Sequence, residues 1–312
     1  MKKRLVLIDG HAIIYRAYYA YPASLITPEG KQINAVYGFV SILLAVIKEL
    51  FPSHIAVAFD LDKPTFRHID YVGYKAQRPK ADKELIDQIT DVKETVKVLN
   101  MPIFEVEGFE ADDVIGTLAR QAGEGGGKNV EVVIATGDQD AMQLVNKGVK
   151  VYVPKRGKNP AKMYGIEEVK EKYELEPEQI VDLKALMGDS ADNIPGVRGI
   201  GPKTAIDLLK KFKTVERVYS GLDKARNKGE IRELVAKKLT DDYEEAMRSK
   251  KLARIVTDVP ITLDLKACKL NDYNKKKAVK LFEKLGFQTL IKRLPSEEWE
   301  KEAENIFINE KI

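Results

Sequence analysis

The chain has 312 residues, 44% hydrophobic and 32% charged, with a formal net charge of +4. That is length for about two globular domains with sizeable cores, and the balance excludes a low-complexity or disordered chain. The single cysteine, Cys268, excludes an internal disulfide and a cysteine-based metal site and points to a reducing compartment. No stretch approaches the length of a membrane span, and the mildly basic balance permits a nucleic-acid partner without requiring one.

Residues 5–8 form a short apolar run after a basic start. The run is too short for a signal peptide and ends in Asp9, so it reads as a buried parallel strand. Residues 12–20 read as a helix, a Thr-Pro-Glu-Gly turn follows at 27–30, and Asn34 is placed to cap a long apolar helix over 35–50. Residues 54–59 give a second buried strand ending at Asp60. Residues 65–80 mix basic and aromatic side chains with little apolar periodicity, a composition that suits contact with phosphates and bases as well as it suits a solvated loop. An amphipathic helix over 82–99 leads to a strand at 102–106, then to further strands at 130–136 and 149–153. The run Gly125-Gly126-Gly127 is a loop.

Strands alternating with helices imply a parallel sheet of α/β type. Beyond about residue 164 the strands stop. Helices are expected at 166–173, 177–187, 203–212, 215–219, 231–239, 241–254 and 274–285. The expected division is 1–165, carrying a basic arch at about 65–100, then a helical domain over 166–291, then a charged tail or linker over 292–312 that holds the sole tryptophan, Trp299.

Chemistry concentrates in the acids. Glu110, Asp112 and Asp113 lie within four residues. An acidic helix start is common, because the macrodipole favours it. Here, however, Asp9, Asp60, Glu110 and Asp138 all follow strands, and residues beyond the carboxyl ends of parallel strands converge in space. With Asp140, and with Asp189 and Asp192 spaced for one helical face, the acids would repel one another unless cations sit among them. An all-oxygen donor set selects Mg²⁺ or Mn²⁺, and so many acids imply two ions, the usual device for phosphodiester displacement.

The segment Asn193-Ile-Pro-Gly-Val-Arg-Gly-Ile-Gly-Pro-Lys-Thr-Ala205 is a glycine-rich hairpin running into a helix. Its amides and the helix N-terminus can hold a phosphate, with Gly196, Gly199, Gly201, Lys203 and Thr204 as contacts. It lacks the Gly-Lys-Ser/Thr of a nucleotide P-loop in place.

These motifs together resemble the 5′ nuclease (flap endonuclease) superfamily, most of all the 5′→3′ exonuclease domain of bacterial family A DNA polymerases, over about residues 3–291. The resemblance is carried by Leu-Ile-Asp9-Gly-His, Ala35-Val-Tyr-Gly-Phe, Ala-Phe-Asp60, Phe66-Arg-His, Tyr74-Lys-Ala-Gln-Arg78, Gly108-Phe-Glu-Ala-Asp-Asp113, Thr136-Gly-Asp-Gln-Asp140, Gly188-Asp-Ser-Ala-Asp-Asn193 and the hairpin. It implies a resolvase-like, PIN-like α/β core with a helical domain bearing a helix–hairpin–helix (H3TH) motif. It implies one metal centred on Asp9, Asp60, Glu110 and Asp112, and a second on Asp138, Asp140, Asp189 and Asp192, with Asp113 assisting. Lys75 and Arg78 would meet the scissile phosphate, Tyr74 would stack on the unpaired terminal base, and Arg16 and Arg67 would contact phosphates. The main chain at Val197 and Ile200 would hold K⁺. The implied partners are branched or 5′-flap duplex DNA, RNA–DNA primer junctions, and a polymerase domain in the same or another chain. The implied protein is a monomer of the bacterial cytoplasm and nucleoid, away from membranes. Gln139 stands where such enzymes often have Lys, and Leu61 where Ala is usual; neither change removes a ligand. The competing readings are a branched-DNA-binding module without catalysis, a PIN-like ribonuclease, which typically lacks the hairpin, and a phosphatase-type hydrolase.

Overall fold

A computed structural model describes residues 3–125, 130–155, 157–270 and 273–295; the tail around Trp299 and most of the Gly125–Gly127 loop lie outside the described residues. Six strands form one sheet, β1 (Lys3–Asp9), β2 (His54–Ala58), β3 (Ile103–Phe104), β4 (Val130–Ala135), β5 (Val149–Val153) and β6 (Lys162–Tyr164), in the order β3-β2-β1-β4-β5-β6. The first five are mutually parallel and β6 is antiparallel. All of β2 and β4 is buried, as expected of strands covered on both faces. The exception that proves tolerable is Glu131 of β4, neutralised by Arg4 at 2.8 Å and Lys150 at 3.0 Å.

Because β1 lies between β2 and β4, the chain reverses its direction of travel there. The crevice beyond the carboxyl ends of β1 and β4 is where an open α/β sheet binds ligands. Helices α1 (Gly10–Ala20), α2 (Asn34–Leu50), α3 (Phe66–Asp70), α4 (Lys83–Val98) and α5 (Ala111–Gly125) cover the sheet. β1 passes into α1 without a loop. A Cβ at Gly10 would lie 2.3 Å from the Phe59 ring and 2.8 Å from the Ala58 carbonyl, so only glycine allows the turn that leaves Asp9 at the edge.

Local expectations fail where tertiary partners compete. Asn34 is not the cap of α2: its amide group donates to the carbonyls of Tyr18 and Tyr21. The buried Gln88 of α4 caps the helix instead, accepting from the Ala35 amide at 2.8 Å. The strand expected over 102–106 pairs only at Ile103 and Phe104, and the stretch expected to be irregular after residue 65 contains the short helix α3.

The sheet is followed by α6 (Ile166–Tyr173), α7 (Ile180–Met187), α8 (Pro202–Phe212), α9 (Val215–Asn227), α10 (Glu233–Asp241) and α11 (Tyr243–Ala253), whose core is a separate apolar cluster from Leu175 to Ala246. The chain then returns to the sheet. The segment after α11 hydrogen-bonds along α5, where the Thr117 hydroxyl accepts from the Val259 amide at 3.1 Å and Gln121 accepts from Leu263 at 2.8 Å. Helices α12 (Lys275–Lys284) and α13 (Gln288–Ile291) place Phe282, Phe287 and Leu290 in the same cluster as α2 and α4. So residues 256–270 and 273–294 pack with the α/β body rather than with the helices before them. No helix among the described residues is long and apolar enough to cross a membrane.

Candidate active site

Asp9 closes β1 and caps α1, accepting from the Ala12 amide at 3.0 Å and from the buried Thr136 hydroxyl at 2.7 Å. Thr136 in turn accepts from the Asp138 amide, and Asp138 from the Asp140 amide at 2.8 Å. These short bonds fix the loop after β4 against the end of β1. Asp60, after β2, accepts from the Ala111 amide at 2.7 Å and so ties β2 to the start of α5. Its own amide donates to His11 Nδ1 at 3.0 Å. Burial lowers the His11 pKa below its ordinary value.

From the helical side, the turn after α7 carries Asp189 and Asp192. Asp189 and Ile194 exchange two backbone hydrogen bonds of 2.8 Å, which closes the turn. The structure therefore gathers Asp9, Asp60, Glu110, Asp112, Asp138, Asp140, Asp189 and Asp192 at one edge. Among the described residues no three of them form a ready metal-binding group, and basic groups lie beside several of them. Lys184 of α7 pairs with both Asp140 and Asp189. Lys75 meets Glu110 at 2.7 Å, and Arg78 pairs with Asp192.

The electrostatics show an excess of negative charge. Burial, with added repulsion from Asp60 and Asp138, pushes the Asp9 carboxyl up to about 7. Burial likewise pushes Asp140 up to about 7, despite attraction from Lys184. Asp112 is raised well above the carboxylate range by burial and by Asp9, Asp138 and Asp140. Burial disfavours the charge on Lys75 and Lys184, yet their carboxylate neighbours outweigh it and raise both. An all-oxygen donor set with surplus negative charge fits hard divalent cations.

A pH dependence follows. A carboxyl whose folded pKa exceeds its ordinary value binds more protons folded than unfolded, so the stability it contributes is lost as pH rises. For Asp9 and Asp140 the window runs from 3.8 to about 7. Mg²⁺ should therefore raise the melting temperature much more at pH 8 than at pH 5; equal shifts at the two pH values would refute this account of the charge.

Several expected contacts take other places. Tyr74 is buried; its hydroxyl donates to Glu110 at 3.0 Å and Asp192 at 3.2 Å, and its ring packs on His68. It spaces two acids and offers no face to a base. Lys75 beside it holds φ +54°, a conformation costly for a side-chain-bearing residue and tied here to the site, with its amide on the Asp192 carbonyl at 2.9 Å. Arg67 is 2% exposed and Asp113 fully buried. They form a bidentate pair of 2.6 and 2.7 Å, and Arg67 also donates to the carbonyls of Leu252 and Arg254. Neither reaches the surface, so Arg67 does not contact a phosphate; it pairs also with Glu110 at 3.4 Å, and Asp113 accepts from the Glu110 amide at 3.1 Å. Arg16 donates to the Pro154 carbonyl at the end of β5.

In the hairpin, Gly196 is buried, with φ +62°. Its amide donates to Ser249 at 2.9 Å, and a Cβ there would lie 2.2 Å from the Gly188 nitrogen. It joins the hairpin to the acidic turn and is not a phosphate contact. The Arg198 amide is likewise taken by Asp242 at 2.8 Å. Gly199, Gly201 and Lys203 are exposed and Thr204 half-buried at the start of α8, where first-turn amides have no partner within the helix. Val197 and Ile200 are buried.

Thr136, His11 and Lys184 were not singled out as site residues by sequence. Thr136 and His11 stand inside the motifs at Asp138 and Asp9. Lys184 could have been noticed as one of two charged residues, with Asp182, in the mainly apolar helix Ile-Val-Asp-Leu-Lys-Ala-Leu-Met.

An acidic crevice at the switch point of a parallel sheet, joined through a glycine hairpin to a helical body, is the make-up of a phosphodiester hydrolase. The chain belongs to the 5′-3′ exonuclease family: residues 4–174 match the model of its N-terminal resolvase-like domain, and residues 175–276 match its C-terminal SAM fold. It is 41% identical over 303 residues to DNA polymerase I of Bacillus subtilis, covering 97% of this chain and 33% of the relative. It is 45% identical over 299 residues to DNA polymerase I of Chloroflexus aurantiacus, covering 94% and 31%. The chain thus spans about a third of the length of these relatives. In fold it is similar to the bacteriophage T5 flap endonuclease crystallised with DNA and metal ions (TM-score 0.66, 21% identity, 91% of this chain and 100% of that one). It is also similar to the catalytic core of Rad2 in complex with DNA (0.52, 18%, 93% and 92%).

Proposed function

We propose that this chain is a divalent-metal-dependent, structure-specific 5′ nuclease that cuts 5′-flap and primer-junction duplexes and degrades duplex from 5′ ends. The observation that carries the reading is the surplus of carboxylates at the sheet edge, with Asp9 and Asp140 pushed up to about 7. Asp9, Asp60, Glu110 and Asp112 would hold one Mg²⁺ or Mn²⁺, and Asp138, Asp140, Asp189 and Asp192 a second. Such ions, when bound, supply Lewis acidity and a water of lowered pKa. Lys184 holds Asp140 and Asp189 side by side, and Thr136 and the Ala12 amide orient Asp9. Lys75 and Arg78, which pair with Glu110 and Asp192, would clamp the scissile phosphate and its developing charge. Gly199, Gly201, Lys203 and Thr204 hold one backbone phosphate of the duplex at the N-terminus of α8, with K⁺ on the main chain at Val197 and Ile200. Arg16 is a further phosphate contact. The setting is the cytoplasm and nucleoid of a bacterium, as a monomer working with a polymerase domain.

The test is cleavage of an end-labelled 5′-flap duplex in Mg²⁺, with EDTA and a blunt duplex as controls. Metal-dependent cutting near the junction is expected. Tight flap binding with no cutting in either Mg²⁺ or Mn²⁺ would leave only a DNA-binding module.

A further inference from the structure

Two lysines flank the acidic edge without an ion-pair partner among the described residues. Lys162, on β6, sits 5.0 Å from the centre of the Tyr164 ring. Lys172, on α6, sits 5.2 Å from that same ring centre and 4.9 Å from the Tyr173 ring centre. One aromatic ring thus has two ammonium groups beside it. Burial, and then Lys162, lower the Lys172 pKa below its ordinary value. Of the carboxylates close in sequence, Glu167 and Glu176 pair with Lys170 and Glu174 with Lys210; Glu168 feels the charge of Lys162 but is not paired with it, and accepts from the Gly165 amide at 2.8 Å.

The cluster is tied to the site. Gln139 Oε1 accepts from Lys172 at 2.9 Å and from the Tyr173 hydroxyl at 2.6 Å, and Gln139 stands between Asp138 and Asp140. Cation–π contact offsets like-charge repulsion only in part, at about 0.5–1 kcal/mol for an exposed pair. What remains is a positive strip, open to solvent, leading away from the acids. With ammonium groups over the tyrosine rings, the strip offers charge in place of a stacking surface. That suits a phosphodiester backbone, which is bound through charge without regard to sequence.

We propose that Lys162 and Lys172, set on Tyr164 and Tyr173, form a second duplex-backbone contact that takes a strand as it leaves the acidic crevice on the β6–α6 side. The inference rests on the nuclease reading. The experiment is fluorescence anisotropy of a labelled 5′-flap duplex in EDTA, from 50 to 200 mM KCl. Each lost phosphate contact lowers the log–log salt slope by about 0.9. The Lys162→Met/Lys172→Met double variant should lose nearly two units of slope and about tenfold or more in affinity at 100 mM salt. Lys170→Met, whose ammonium is already paired, should match wild type, and the double Lys→Arg variant should restore the slope. Melting curves confirm that each variant is folded. If wild type binds and the folded double variant keeps both affinity and slope, the strip is overturned. If wild type itself does not bind the duplex, the nuclease reading fails first.

Discussion

Replacing Asp112 by alanine should abolish flap cleavage, by about a thousandfold or more, while leaving flap binding within a few-fold and making the metal-free protein more stable at pH 8. Asp112 and Asp113 are neighbours on α5, about 100° apart around the helix, and so face different worlds. Asp113 has Arg67 against it. Asp112 faces Asp9, Asp138 and Asp140, which with burial raise its pKa well above the usual range. A carboxylate so placed destabilises the folded chain without cations, and its removal relieves that repulsion. Residues kept at a cost to stability are those that function requires. Single-turnover cleavage in Mg²⁺ and thermal melting in EDTA give the two readings. Normal turnover in the variant would sink the two-cation assignment, and a lower melting temperature would sink the electrostatic account of Asp112.

The second large effect concerns stability. Arg67→Met should lower the unfolding free energy by about 3–5 kcal/mol, the loss seen when one partner of a buried ion pair is removed, or roughly 10 °C in melting temperature. The variant strands the Asp113 carboxylate in the interior together with the carbonyls of Leu252 and Arg254. Converting the partner as well, as Arg67→Met/Asp113→Leu, should recover part of the loss, since the unpaired charge is gone. A phosphate-binding arginine would behave otherwise: unchanged melting, weaker duplex affinity and a shallower salt slope. Finding that pattern would place Arg67 on the surface after all.

The pair also shows how the two bodies are joined. Arg67 lies in α3, Asp113 lies in the first turn of α5, and residues 252–256 lead out of the helical body. The Val256 amide donates to Asp113 at 3.0 Å. One buried guanidinium thus ties these three segments together.

Much of this was present in the sequence alone. Apolar runs ending in Asp9, Asp60 and Asp138 specify buried parallel strands whose acids meet at one edge, because topology brings strand ends together whatever lies between them. The glycine spacing of residues 196–201 specifies a tight connection between α7 and α8, where Gly196 and Gly199 hold positive φ. The direction of individual side chains was decided by the tertiary structure. Which of two adjacent aspartates faces the acids, whether Tyr74 offers its ring or its hydroxyl, and whether Gly196 turns its amide outward or onto Ser249 all depend on partners 36 to 143 residues away. Motif spacing fixes position along the chain and periodicity fixes the buried face. A buried polar group, however, turns toward whichever distant partner can satisfy it, because leaving it unpaired costs more than any local preference supplies.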